Sequence, residues 1–368
     1  MPLRRSWWRA PQRCSPPRPS SSTSEPTASR GAIRGRPLMQ MPSQRSSLSE
    51  DQVMTEQFSP EAAISGATGT GRAAVIGLGS MGYGMAQSLK RAGFEVAGFD
   101  VNAAAVERFA AEGGRGASSP AEAARDADVV VSVVVNAAQT ETILFGADGV
   151  AQTLVDGAVF LSSATMDPEV ARTLAARLEA TGRLYLDAPI SGGAQRAAEG
   201  ALTILASGSP AAFAKARPAL DAMAAKLYEL GDAPGQGAAF KMINQLLAGV
   251  HIAAASEAMA FAARQGLDIA KVYEVITASA GNSWMFENRM PHVVDGDYTP
   301  RSAVDIFVKD LGIIQDMARS AKFPVPVSAA ALQMFLATSA AGMGRDDDAS
   351  VARLYARITG TKLPGDPA

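Results

Sequence analysis

Between residues 72 and 231, short apolar runs alternate with longer segments whose apolar residues recur every three to four positions. The runs read as buried strands and the periodic segments as amphipathic helices. Strands are predicted at 73–78, 94–100, 128–135, 158–163 and 183–187, with further strand-like runs at 201–206 and 226–230. Helices at 81–92, 103–112, 119–126 and 167–181 fill the gaps. Alternation of this kind specifies a doubly wound, mainly parallel α/β sheet. The turn-rich segment Gly231-Asp-Ala-Pro-Gly-Gln-Gly237 ends the pattern. Beyond it the strand signals vanish. Residues 238–265 are Ala-rich and apolar on most faces, as in a helix enclosed by others, and helices follow at 268–280, 302–321, 327–342 and 346–359. The expected organisation is an α/β domain over 72–235 and an all-α domain over 236–368.

Residues 1–71 fit neither pattern. Up to residue 70 they hold nine arginines and no lysine, are rich in Ser and Pro, and carry almost no acid before Glu50. Such a segment buries too little apolar surface to offset its ordering entropy, so a disordered tail is expected. An Arg- and Ser-rich, acid-poor tail suits an organellar transit peptide. Its many prolines argue against the helix that class needs. An over-extended gene start, with Met39, Met41 or Met54 as initiator, is the preferred reading.

Composition narrows the chemistry. The formal net charge is −2, so no overall field favours nucleic acid or an anionic membrane, and a cytoplasmic protein is expected. The apolar stretch 246–263 contains His251, Ser256 and Glu257 and reads as a buried helix, not a membrane span. The one cysteine, Cys14, lies in the tail, and the only histidines are His251 and His292. Intrachain disulfides, cysteine-rich zinc sites and His-rich metal centres are thereby excluded; no metal is expected. Acid/base work near neutral pH falls to lysine, a carboxylate or tyrosine, unless one of the two histidines serves.

The first strand runs into Gly77-Leu-Gly79-Ser-Met-Gly82 and a helix, and the second strand ends on Asp100. Gly77 suits the tight turn, Gly79 lets backbone approach a pyrophosphate, and Gly82 lets helix pack on strand. The helix N-terminus offers free N–H groups to phosphate. Asp100 is placed to bind the ribose hydroxyls of an adenosine and to repel a 2′-phosphate. Strand, loop, helix and terminal acid together are the Rossmann dinucleotide-binding pattern, with NAD favoured over NADP.

Other candidates lie in loops after the strands, where ligands of open α/β sheets bind. Ser191-Gly192-Gly193 offers a hydroxyl and exposed N–H groups for a carboxylate, or is simply a glycine-requiring turn. Lys241 and Asn244 are one helical turn apart in an apolar helix at the hinge. A desolvated lysine there would have its pKa lowered toward neutrality; a solvated surface lysine is the alternative. Lys309-Asp310 reads in isolation as a charged pair on a helix. Trp284, within Gly281-Asn-Ser-Trp-Met-Phe-Glu-Asn-Arg289, suggests either a pocket lid or core packing.

With these residues in place, the chain from about 72 to 360 resembles the β-hydroxyacid dehydrogenase family, which includes 3-hydroxyisobutyrate dehydrogenase and tartronate semialdehyde reductase. The motifs that carry the resemblance are 77–82, Asp-Ala-Pro-Ile-Ser-Gly-Gly (187–193), the hinge Gly-x-Gly with Lys241 and Asn244, and Lys309-Asp310. The resemblance implies that Gly77, Leu78, Gly79, Ser80, Met81 and Gly82 bind the cofactor, and that Ser191, Gly192 and Gly193 hold the substrate carboxylate. It makes Lys241 the acid/base, and Thr165 and Lys309 nicotinamide-side contacts. Many members have Asn four residues after the lysine. Here Gln245 stands there, so Asn244 and Gln245 are alternative substrate contacts. The third-strand loop reads Val134-Val135-Asn136 in place of the family's Leu-Pro. The resemblance also implies a small hydroxy-acid substrate and a homodimer or homotetramer. The run 281–290 with Asp295-Gly-Asp-Tyr-Thr-Pro300 is similar to that of L-threonate dehydrogenases, whose substrate would meet Asn282, Ser283, Glu287, Asn288 and Arg289. Oxidation of 3-hydroxyisobutyrate and reduction of tartronate semialdehyde are the rival activities. A non-catalytic cofactor-binding module would be expected to have lost Lys241.

Overall fold

The computed structural model describes residues 71–366; the expectations for the preceding tail lie outside them. The α/β part runs β1 (Arg72–Ile76), α1 (Gly82–Arg91), β2 (Glu95–Phe99), α2 (Ala103–Ala111), β3 (Arg115–Gly116), α3 (Pro120–Ala124), β4 (Val129–Ser132) and α4 (Ala137–Phe145). It continues with β5 (Val159–Ser162), α5 (Pro168–Glu179), β6 (Leu184–Asp187), β7 (Ile190–Ser191), α6 (Gly193–Glu199), β8 (Leu202–Gly208), α7 (Pro210–Met223) and β9 (Ala224–Glu229). The helical part comprises α8 (Gln236–Arg264), α9 (Ile269–Thr277), α10 (Trp284–Asp295), α11 (Val304–Ser320), α12 (Pro326–Thr338) and α13 (Val351–Thr359).

The strand order is β3-β2-β1-β4-β5-β6-β8-β7, with β9 beside β8. Strands β1 to β6 pair in parallel, and β8 runs antiparallel to β6. Chain direction across the sheet reverses between β1 and β4, which opens a crevice at their carboxyl ends. Register sets Ile76, Ser132, Ser162 and Asp187 side by side at that edge. The loops holding most of the candidate residues therefore leave the sheet at one level. Val75, Val131, Leu161 and Leu186 pack into one face of the sheet, and Ile76, Val130, Phe160 and Tyr185 into the other. Burial on both faces explains why the strands read as continuous apolar runs.

Sequence periodicity misses several elements. Helices α4, α6, α7 and α10 were not predicted, nor were the two-residue strands β3 and β7. Most of the run at 281–290 is the first half of α10, capped by Ser283, with Met285 and Phe286 packed in the core and Trp284 about half exposed. Phe286 stacks on Tyr273 at a centroid distance of 5.9 Å. Alternating polar and aromatic residues here record one wet and one dry helix face. The predicted 327–342 helix stops at Thr338 and passes into a wider turn in which Gly342 takes φ +88°.

Helix α8 is the axis of the helical part. By length and composition it could cross a membrane, but α10, α11, α12 and α13 pack against it and bury about half of its apolar stretch. Met242 and Ile252 pack with Phe307, Leu311 and Phe335, while Met259 packs with Phe286, Met290 and Val293. A Cβ on Gly249 would lie 3.0 Å from both Leu311 and Phe307, so glycine sets how closely α8 and α11 approach. The helix keeps Phe240, Ile243, Leu247 and Phe261 exposed.

Candidate active site

Sterics dictate the glycine loop. Gly77 has φ +97°, and a Cβ there would lie 2.3 Å from the Val133 carbonyl oxygen; a Cβ on Gly82 would lie 1.8 Å from the Gly77 oxygen. At Gly79 a Cβ would meet nothing within 4 Å. Two glycines are thus forced by protein backbone, and the third faces open space, as a phosphate cradle requires. Asp100 lies beside this loop. Its Oδ2 accepts from the Leu78 N–H at 2.6 Å and its Oδ1 from the Asn102 N–H at 2.8 Å. Each oxygen retains a lone pair for a ribose hydroxyl. A cleft of about 610 Å³ runs past Gly77, Phe99, Asp100, Val134 and Asn136, where Asn136 caps α4 by accepting from the Gln139 N–H. Within the Val134-Val135-Asn136 departure, Val134 and Asn136 thus line the cleft, and Asn136 also starts a helix. These features fit a dinucleotide.

A second cavity of about 260 Å³ joins the loop to the helical part. Gly79, Ser80, Met81 and Gly82 line it together with Val133, Ser163, Thr165, Ile190 and Lys309. Residues 230 positions apart in the chain, Gly79 and Lys309, thereby share one wall.

Lys241 sits just over one turn into α8 with 8 % of its surface exposed. Its Nζ donates to the Ile190 carbonyl at 2.8 Å, the residue before Ser191. Burial pushes the ammonium down to about 8; Asp310 opposes this and the like charge of Lys309 adds to it. The buried Asp310 takes the Lys309 ammonium at 2.5 Å on Oδ1 and the Gln245 amide at 2.5 Å on Oδ2, while Asn244 Nδ2 donates to Gln245 Oε1 at 3.0 Å. Gln245 is buried with Lys241, whereas Asn244 is exposed and joins the site through its bond to Gln245. Sequence reading missed Asp310 as a site residue, because beside Lys309 it resembled a surface pair; an acid in the apolar phase of its helix was the available signal.

Ser191 ends β7, and Gly192 and Gly193 take φ +137° and +81° to begin α6. Both glycines are conformationally required, so the turn reading is correct for the backbone whatever the loop binds. Asp187, the first residue of the 187–193 motif, is buried, and its Oδ2 accepts from the Gly235 and Ala238 N–H groups at 3.0 and 2.8 Å.

Side chains of the polar run 282–289 bond within the helical part. Asn282 donates to the Thr277 carbonyl and to Glu287. Ser283 accepts from the Phe286 N–H. Arg289 pairs with Asn288 and with the buried Asp348, the latter at 2.7 Å. These groups close helix ends and hold the helical framework.

Comparison with known proteins agrees with this geometry. A family model described as the NAD binding domain of 6-phosphogluconate dehydrogenase matches residues 72–231. Another, described as NAD-binding of NADP-dependent 3-hydroxyisobutyrate dehydrogenase, matches 235–355. L-threonate dehydrogenase of Cupriavidus necator is 55 % identical over 291 residues, which cover 79 % of this chain and 97 % of that one. 2-(Hydroxymethyl)glutarate dehydrogenase of Eubacterium barkeri is 33 % identical over 79 % of this chain and 96 % of its own. A crystal structure described as 3-hydroxyisobutyrate dehydrogenase from Salmonella typhimurium is 51 % identical, with a TM-score of 0.74 over 77 % of this chain and 100 % of that one. With a Rossmann crevice, a glycine cradle and relatives this similar over nearly their whole length, the chain belongs to the β-hydroxyacid dehydrogenase family, the NAD(P)-binding dehydrogenases of hydroxy acids.

Proposed function

We propose that this enzyme oxidises L-threonate at C2 to the corresponding 2-oxo acid, with NAD as hydride acceptor and Lys241 as acid/base. The observation that carries the chemistry is Lys241, a buried lysine with its ammonium drawn down to about 8, held against the loop that ends in Ser191. In that setting a substantial neutral fraction exists near physiological pH, so Nζ can take the hydroxyl proton and its charged form can stabilise developing negative charge on oxygen. Ser191, Gly192 and Gly193 would hold the carboxylate, fixing the carbinol carbon relative to the lysine. Gln245, and through it Asn244, supplies amide groups beside Lys241, with Asp310 orienting Gln245.

Gly77 to Gly82 would hold the pyrophosphate, with Leu78, Ser80 and Met81 in the same turn. Asp100 would hold the adenine ribose, and Thr165 and Lys309 would lie at the nicotinamide end. Bound there, the cofactor supplies the hydride-accepting ring. The carboxylate of Asp100 opposes a 2′-phosphate, which supports NAD over NADP.

Relatives named L-threonate dehydrogenase reach 48–55 % identity, against 32 % for the rat mitochondrial 3-hydroxyisobutyrate dehydrogenase. The description of the Salmonella structure favours 3-hydroxyisobutyrate as the second reading. A panel of L-threonate, 3-hydroxyisobutyrate and glycerate with NAD, read as kcat/KM, decides between them. Equal or better use of 3-hydroxyisobutyrate overturns the substrate assignment and leaves the family standing. Phe240, Ile243, Leu247 and Phe261 form an uncovered apolar face on α8, the kind of surface a subunit contact covers. A cytoplasmic homodimer or homotetramer completes the reading.

A further inference from the structure

The joint between the sheet and α8 has the chemistry of a clamp. Gly235 takes φ +105° as the residue before the helix. A Cβ on Gly237 would lie 2.3 Å from the Leu205 carbonyl oxygen and 2.9 Å from that of Asp187, so the first turn of α8 presses directly on the end of β6 and the middle of β8. One carboxylate oxygen organises this contact. Oδ2 of Asp187 accepts from the N–H groups of Gly235 and Ala238 and from the Ser207 hydroxyl at 3.3 Å. Ser207 Oγ accepts in turn from the Gly237 N–H at 2.9 Å. Three of the free donors at the start of a 29-residue helix are thus met from the sheet, two by Asp187 and one by Ser207. Asp187 is also the last residue of β6, four positions before Ser191, while Lys241 lies three residues beyond Ala238 and reaches back to Ile190.

We propose that Asp187 is a positioning residue: through Oδ2 it locks the first turn of α8 to the end of β6 and so fixes Lys241 relative to the Ser191 loop. The inference rests on the roles proposed for Lys241 and Ser191. A neutral capping residue would satisfy the same donors; a carboxylate adds attraction to the positive end of the helix. Arg172 from α5 lies over Gly235 and adds favourable charge, and Tyr185 on β6 is the other titratable group facing Asp187. Ser207 faces it from β8, and α8 contributes only N–H groups. Burial raises the carboxyl to about 6 against the pull of those hydrogen bonds and of Arg172, so the clamp weakens as pH falls through that value.

The test is the reduction direction, with the 2-oxo product of the best substrate in the panel and NADH, because Lys241 is then needed protonated and imposes no acid limb. Wild-type kcat should fall below about pH 6 as Asp187 is protonated. Asp187→Asn keeps the shape and one acceptor oxygen but not the charge. Its kcat should be lowered by about 3- to 10-fold at neutral pH, with the acid limb gone and NADH affinity unchanged. Asp187→Ala, which removes the acceptor, should lose more. If it does not fold, the Asn variant decides alone. An Asn profile that superimposes on wild type overturns the proposal. Lys241→Ala measured in parallel separates the two readings. If it is inactive while Asp187→Asn behaves as wild type, only the clamp falls; if it stays active, the lysine assignment falls and the clamp has nothing to position.

Discussion

Lys241 illustrates how one residue's chemistry depends on its surroundings. An exposed lysine titrates above 10, and here burial brings the group to about 8. Since hydroxyl oxidation needs the neutral amine, kcat/KM for oxidation should rise with pH and level off above about 8; a rate flat from about pH 6 to 9 would contradict the base assignment. Lys241→Ala should leave NAD affinity nearly intact, as Nζ contacts the Ile190 carbonyl and not the glycine loop. Turnover should drop by roughly 10²–10⁴, and a variant within threefold of wild type would show that the proton goes elsewhere. Asp100→Ser should narrow the NAD preference in paired NAD and NADP assays, since the replacement removes charge beside the ribose position. It also removes the acceptor of the Leu78 N–H, so some loss with both cofactors is expected.

At the scale of elements, close approach matters more than propensity. Gly237 packs where a Cβ would lie 2.3 Å from Leu205 backbone oxygen. Ala is the better helix former, yet Gly237→Ala should destabilise by about 1–3 kcal/mol through overpacking against backbone that cannot yield. Thermal unfolding reads the loss, and lowered kcat should accompany it because α8 carries Lys241. An unchanged melting temperature would mean that the helix start is loosely seated. By contrast, a Cβ on Gly281 or Gly312 would meet nothing within 4 Å, so alanine there serves as a control with little effect from packing. The polar residues of the loop between α9 and α10 are engaged locally: helix ends leave N–H and C=O groups unmet, and Asn and Ser are the residues that meet them.

For the whole molecule, family similarity covers residues 72–355, and β1 begins at Arg72. A chain starting a few residues before Arg72 should fold and keep full activity; loss of soluble protein on truncation would place the tail against the body. The exposed apolar face of α8 should be covered in solution by a second copy, giving a dimer or larger mass by light scattering. A monomer at micromolar concentration would leave that face unexplained.

Local sequence determined a great deal here. The apolar runs located the seven principal strands; β1, β4, β5 and β6 are buried on both faces and need unbroken hydrophobic stretches, whereas β9 has no buried residue. Gly77 and Gly82 were legible because their constraint is steric and close in sequence. The change from alternating strand and helix to helix alone marked where the sheet ends. What needed the folded chain was everything set by packing between distant residues. The buried state of Lys241, the choice of Gln245 over Asn244 as its inward neighbour, and the recruitment of Asp310 depend on α11 lying against α8. The bonds from Asp187 to Gly235 and Ala238 span about fifty residues, and no periodicity records them. A residue type and its spacing fix what a side chain can do, while burial and hydrogen-bond partners fix which protonation state and which direction it adopts, and those partners were brought together only by the tertiary fold.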